Sequence, residues 1–266
     1  MKLSNRLDKH TVMIKCNNGS VGTGFFYGVE HHSGVGHNFF IVTNKHVVKD
    51  AASAMLMTRM ANAGTGDIEN NKSVLIEDLQ TILIPHPGDV DLCAIPINKA
   101  IIEFQKNNMT LHFFPFFQSE CYEHYEHKSS LTSVEDVFMT GYPTALWDHV
   151  NNKPITRKGI TASDCKENWQ GKKEFLIDMA CFPGSSGSPV YIYNNGTIMI
   201  DGDVLGGERL ILLGILRAGP LFEAGGRVEI TNVPSYVKAI SETRIPMNLG
   251  VVIKAEELGF LRDKRV

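Results

Sequence analysis

The stretch Pro183-Gly184-Ser185-Ser186-Gly187-Ser188-Pro189 places serine hydroxyls between two glycines. Glycine tolerates positive φ and close backbone approach. Consecutive N–H groups in such a turn can converge on one oxygen, as stabilisation of a developing oxyanion requires. A serine hydroxyl is a weak nucleophile until a base takes its proton. His46 is the candidate base: an apolar run at 39–42 leads through Thr43-Asn44-Lys45 to this histidine, so the imidazole would stand at the end of a strand. Imidazole ordinarily titrates near about pH 6.5, which suits proton transfer at neutral pH. In Asp89-Val90-Asp91-Leu92-Cys93-Ala94-Ile95, an acidic residue opens a buried strand. A carboxylate there could hold the imidazole in one tautomer and stabilise its protonated form. The residues alone leave Asp89 and Asp91 competing for that role.

The elements that must position these groups read as short strands at 11–15, 24–29, 39–43, 74–76, 80–84, 92–97, 137–140, 175–177, 190–193 and 210–216. Turn signals at 17–19 and 194–196 separate some of them, and the pattern predicts an all-β sandwich or barrel. Helix is expected only at 47–60 and, behind Pro234, at 234–242. Phe113, Phe114, Phe116 and Phe117, followed by a polar run at 120–130, predict a connection whose aromatics pack against two halves. The G-x-S-x-G elbow of α/β-hydrolases is not met, because Ser188 occupies its final position.

Composition narrows the class. Hydrophobic residues are 43% and charged residues 21% of 266, which fits a folded globular chain. A net charge of −3 without a basic run gives no reason to expect nucleic acid. No apolar stretch has the length of a signal peptide or membrane span, so no membrane and a cytoplasmic location are expected. The five scattered cysteines (Cys16, Cys93, Cys121, Cys165, Cys181) make a poor disulfide framework and a poor zinc site. Cys121, in a polar stretch, is expected at the surface. The histidines at 31, 32 and 37, and His124 with His127, read as solvated loops, and no metal or other cofactor is expected.

Taken together, the three segments resemble the trypsin-like serine peptidases, and particularly their bacterial HtrA-like branch. Thr43-Asn44-Lys45-His46-Val47-Val48 is similar to the family's histidine motif, and Asp91-Leu92-Cys93-Ala94-Ile95 to its aspartate motif, which favours Asp91. Gly184-Ser185-Ser186-Gly187-Ser188-Pro189 matches the G-x-S-G-x-P signature. Gly22-Thr23-Gly24, Gly141-Tyr142-Pro143 and 213–219 extend the likeness. The resemblance implies two six-stranded antiparallel Greek-key barrels, with the site between them and a short terminal helix. The expected divisions are a first barrel at 1–115, a connection at 116–134, a second barrel with its helix at 135–245, and a tail at 246–266. The implied activity is cleavage of protein or peptide substrates by His46, Asp91 and Ser186 through an acyl-enzyme. The N–H groups of Gly184 and Ser186 would form the oxyanion hole. A catalytically silent, protease-like binding or scaffolding module is the alternative.

The resemblance also places substrate contacts at Ala180, Leu216, Arg217, Ala218 and Val228. Ala180 and Val228 suggest a small or apolar side chain before the scissile bond, and Arg217 an acidic one. Val47 stands where secreted members have a cysteine, and Ser185 where they have the aspartate that receives a new N-terminus. Activation by cleavage is therefore not expected. The residues after the terminal helix are too few for a PDZ domain, so control would fall to loops, with 141–160 the candidate, or to an activating protein partner.

Overall fold

The computed structural model describes residues 3–31, 36–200, 202–219, 221–227 and 240–264. The first half builds a sheet from β1 (Thr11–Cys16), β2 (Val21–Glu30), β3 (His37–Thr43), β4 (Ala54–Asn62), β5 (Ile68–Ile76), β6 (Ile84–Pro85) and β7 (Cys93–Pro96). The strands lie in the order β5-β4-β1-β2-β3-β7-β6. The short β8 (Met109–Leu111) joins β4, and β9 (Phe116–Phe117) joins β2 in parallel. Helical turns α1 (Lys45–Val48) and α2 (Leu79–Ile82) and the helix α3 (Asn98–Lys106) punctuate them.

The second half is a closed six-stranded barrel. Its members are β10 (Asp136–Gly141), β11 (Ile155–Thr161), β12 (Glu174–Asp178), β13 (Pro189–Ile200), β14 (Asp203–Ala218) and a final strand β17 (Leu249–Lys254). β15 (Leu221–Arg227) and β16 (Ile240–Pro246) form a separate antiparallel pair. The double β-barrel architecture is the one the sequence implied.

Each barrel buries its own apolar face, and a further cluster joins them. Phe25, Phe40, Leu92 and Phe116 from the first half pack with Tyr191, Leu212, Ile215 and Ile253 from the second. Phe116 is fully buried, with its ring 6.0 Å from Phe25 and 5.7 Å from Tyr191. This aromatic therefore does bridge the two halves, whereas Phe113 packs on the first alone.

Several local expectations are corrected. Residues 54–60, expected as helix, form β4: Asp50 adopts φ +56° and ends the turn, and alternating burial then places the segment between β1 and β5. Residues 80–82, part of the strand expected at 80–84, belong to α2, where Gln80 Nε2 donates to the carbonyls of Val48 and Ala51. Asn194-Asn195-Gly196 is not a turn. It continues β13 opposite 207–209, and the hairpin closes only between Ile200 and Asp203.

Residues 228–239, most of the expected terminal helix, lie outside the described residues; 240–242 belong to β16. Residues 246–266 are not a tail. β17 closes the second barrel by pairing with both β12 and β14, and a 3-10 segment, Ala255–Leu261, follows it. Residues 116–117, assigned to the connection, are strand β9 of the first sheet. Cys121 is fully buried, and all five cysteines are free thiols.

Candidate active site

His46 owes its outward position to its neighbours. β3 ends at Thr43, the buried Asn44 turns the chain, and α1 follows. Val47 and Val48 are 2% exposed, with Val47 packed on the glycine face of β2 at Gly22, so a single helical turn leaves His46 facing solvent. Burial of two valines thus fixes the direction of a polar side chain.

Asp91 sits just before β7, anchored by the buried Leu92 and Cys93. Its Oδ2 lies 2.6 Å from His46 Nδ1, and its Oδ1 accepts the His46 backbone N–H at 3.0 Å. Asn44 Nδ2 donates to the Asp91 carbonyl at 2.8 Å. Both carboxylate oxygens therefore hold one residue, and the acceptor at Nδ1 leaves Nε2 as the nitrogen free to take a proton. Asp89 is exposed and makes no such contact.

The loop between β12 and β13 presents three serines differently. Ser185 and Ser188 are 1% and 0% exposed, whereas Ser186 is half-buried and open on one side. Ser185 N–H donates to Phe182 O and Ser188 N–H to Ser185 O, so the loop is a pair of tight turns. Gly184 and Gly187 adopt φ +87°, the left-handed conformation such turns demand. Among the described residues, neither the N–H of Gly184 nor that of Ser186 donates to a protein acceptor.

Thr23 on β2 joins this loop to the first barrel. Its N–H donates to Ser186 O at 2.9 Å, and its hydroxyl donates to Gly184 O at 2.9 Å while accepting the N–H of Tyr142 at 3.0 Å. Thr43, three residues before His46, donates its hydroxyl to Thr23 O at 2.8 Å. Ser186 and His46 are thereby tied to one pair of adjacent strands. Thr23 and Thr43 were missed as site residues, although the glycines flanking Thr23 mark a strand that another backbone approaches closely.

The expected substrate contacts divide. Ala180 is half-buried, and its carbonyl accepts from Arg157, whose guanidinium also lies 5.0 Å over the exposed Phe182 ring. Burial lowers the Arg157 pKa. Leu216 is not available to substrate: its side chain is 1% exposed, its N–H donates to Ser188 O and its carbonyl accepts from Gly187. Arg217, at the bulge of β14, is engaged within the protein. Its Nε pairs with Glu174 at 3.0 Å, and it lines a cavity of about 450 Å³ with Lys45 and Asp91. Ala218 lies on β14 beyond a bulge, and Val228 falls outside the described residues.

The candidate control region is in part regular structure, since 155–161 is β11. The remaining loop rests on the first barrel: Asn152 Nδ2 donates to Thr58 O at 2.9 Å, Arg59 donates to Asn152 O, and Asn71 Nδ2 donates to Val150 O. At its base, Thr144 and Ala145 take φ +48° and +57°, and Thr144 N–H donates to Pro183 O at 2.6 Å. The peptide that carries the Gly184 N–H is thus held by this loop.

No curated protein sequence matches the chain. Solved structures similar to it include the inactive form of Rv3671c (Ser343Ala mutant) from M. tuberculosis H37Rv, at 15% identity over 96% of this chain and 85% of that one, with a TM-score of 0.43. Deg5 is similar at 14% identity over 81% and 82%, TM-score 0.45. The HtrA-type protease AlgW with a decapeptide is similar at 12% identity over 97% and 65%, TM-score 0.48. A family model described as a trypsin-like peptidase domain matches residues 22–198, a span that opens beside Thr23 and contains His46, Asp91 and Ser186. By that match, the chain belongs to the trypsin-like peptidase family.

Proposed function

We propose that the protein is a serine endopeptidase acting through an acyl-enzyme. The observation that carries this reading is the 2.6 Å contact between His46, just beyond β3, and Asp91, just before β7, in a sheet whose neighbouring strand β2 holds the Ser186 loop. Ser186 Oγ attacks the peptide carbonyl carbon as its proton passes to His46 Nε2. Asp91 keeps the Nδ1–H in place and stabilises the imidazolium. The uncommitted N–H groups of Gly184 and Ser186 receive the oxyanion. His46 then returns the proton to the leaving amine, and water repeats the sequence on the ester.

The half-buried Ala180 supports a small or apolar side chain before the scissile bond. A peptide library in which Lys or Arg dominates that position would refute this. The unpaired thiols support a reducing, cytoplasmic setting; non-reducing electrophoresis of native protein showing cross-linked cysteines would contradict it. Because Thr144 holds Pro183, we infer that a partner protein acts by moving the loop 143–154. A partner whose binding leaves exchange of that loop's amides unchanged would count against it.

A fluorophosphonate probe tests the core reading. The wild-type protein should label at Ser186, and Ser186→Ala should lose labelling and lower peptide turnover by about 10³-fold or more with the fold intact. A folded wild-type protein that never labels Ser186 would instead favour a silent scaffold.

A further inference from the structure

The loop that carries Asp91 is gripped from the second barrel. Pro87, Gly88 and Asp89 are exposed, while Val90 packs on the core shared by the two halves. The other fixed point of residues 86–91 is His86. Its Nδ1 accepts the Gly88 N–H at 3.1 Å, which makes Nε2 the ring nitrogen that carries the proton, and Glu257 Oε2 lies 2.9 Å from Nε2. The two side chains are only 12% and 9% exposed. The other Glu257 oxygen meets Lys173 Nζ at 2.9 Å, and the Phe260 ring stands edge-on to His86 at 5.0 Å. Glu257 and Phe260 belong to the segment Ala255–Leu261, whose Leu258 and Leu261 share a core with Leu92. On the opposite side, Lys45, the residue before His46, donates from Nζ to the carbonyls of His86 and Gly88 at 2.9 and 3.0 Å.

We propose that Glu257 is a positioning residue for the Asp91–His46 pair, acting through His86. The loop spans two anchors: Lys45 sets its main chain relative to His46, and Glu257 sets it relative to the second barrel. A buried carboxylate with a nitrogen 2.9 Å from each of its oxygens has little freedom to move, and the imidazole beside it passes that rigidity to the six-residue loop. The same contact makes the Asp91 geometry depend on how the two barrels sit together. This inference rests on the peptidase reading for its consequence on reactivity, though not for the geometry itself.

The test uses the full chain with Glu257→Ala, Glu257→Gln and Lys173→Met. Two quantities are read: the rate of fluorophosphonate labelling at Ser186, and the low-field NMR proton resonance of the His46 Nδ1–H bonded to Asp91. Glu257→Ala should slow labelling by about tenfold, the scale of a sub-ångström misplacement, and broaden the resonance through exchange with water. Glu257→Gln should restore most of both, because its amide oxygen can still face the His86 N–H. Lys173→Met, which removes one of the two nitrogens beside the Glu257 carboxylate, should change both in the same direction as Glu257→Ala but by less. A Glu257→Ala protein with a lower melting temperature but wild-type labelling and resonance would overturn the proposal, leaving Glu257 a structural residue only. If Glu257→Ala does not fold, His86→Phe, which keeps the ring but offers Glu257 no N–H, supplies the same two readouts with the same expected losses. A wild-type protein that fails to label would count against the peptidase reading, and the resonance would still decide this one.

Discussion

Thr23 and Ser186 lie 163 positions apart in the chain (186 − 23), yet the N–H of the first donates to the carbonyl of the second at 2.9 Å. The hydroxyl of Thr23 reaches two further groups, Gly184 O and Tyr142 N, both from the second barrel. One residue on the first barrel, through its main chain and its side chain, therefore orients the main chain on both sides of Ser185.

Thr23→Val keeps the shape and removes the hydroxyl. It leaves a buried carbonyl and a buried N–H without their partner, so stability should fall by about 2 kcal/mol in urea unfolding. Fluorophosphonate labelling of Ser186 should slow by about tenfold as the loop loses its register. Thr23→Ser should recover most of both. Wild-type labelling in Thr23→Val would show that the loop holds its geometry without this residue.

The two aspartates separate cleanly. Asp91→Asn should lower turnover by about 10⁴-fold, because an amide cannot accept from both the His46 N–H and Nδ1–H. Asp89→Asn should leave turnover at the wild-type level, since Asp89 is exposed and makes no contact with His46. Measured kcat/KM values for the pair decide between them.

Gly187 is the position least able to accept a side chain. A Cβ there would lie 2.0 Å from Thr23 O and 2.6 Å from Thr43 Oγ1, with the backbone at φ +87°. Gly187→Ala should abolish labelling and yield little folded protein. Gly19 has a similar φ of +89° but open space around it, so Gly19→Ala should cost only about 1 kcal/mol and leave labelling intact. Circular dichroism and labelling of the two variants provide the comparison.

His10 gives the protein a pH dependence unrelated to the site. Burial against Phe116 pushes its imidazole down from 6.5 to about 3, opposed by the bond to Phe114 O and reinforced by the Arg6 charge. The unfolded chain binds this proton more readily than the folded one. The stability involved is therefore fully present above about pH 6.5 and lost as pH falls towards about 3, at about 1.4 kcal/mol per pH unit. His10→Asn, which retains a donor for Phe114 O, should flatten that part of the slope in urea unfolding at pH 7, 6, 5 and 4. An unchanged slope would mean that other groups carry the acid sensitivity.

The candidate groups were legible because local chemistry constrains them. A serine between glycines, a histidine at the end of an apolar run and an aspartate opening one are each set by short-range rules of strand and turn. Most strands were visible for the same reason. The failures fall where distant contacts override local preference. Residues 54–60 look helical but pair between β1 and β5, and 80–82 look extended but curl where Gln80 finds two carbonyls. Cys121 sits in a polar stretch and is buried because it packs at the seam between the two halves.

By itself, the sequence determined which side chains could react and that short strands would carry them, because residue type and near-neighbour pattern decide both. Only the tertiary structure decided which serine is less buried than its neighbours, which aspartate meets His46, that Arg217 pairs with Glu174, and that Thr23 ties the Ser186 loop to the first barrel. Those outcomes depend on hydrogen bonds and burial between segments far apart in the chain, and no local pattern encodes a partner that only folding brings near.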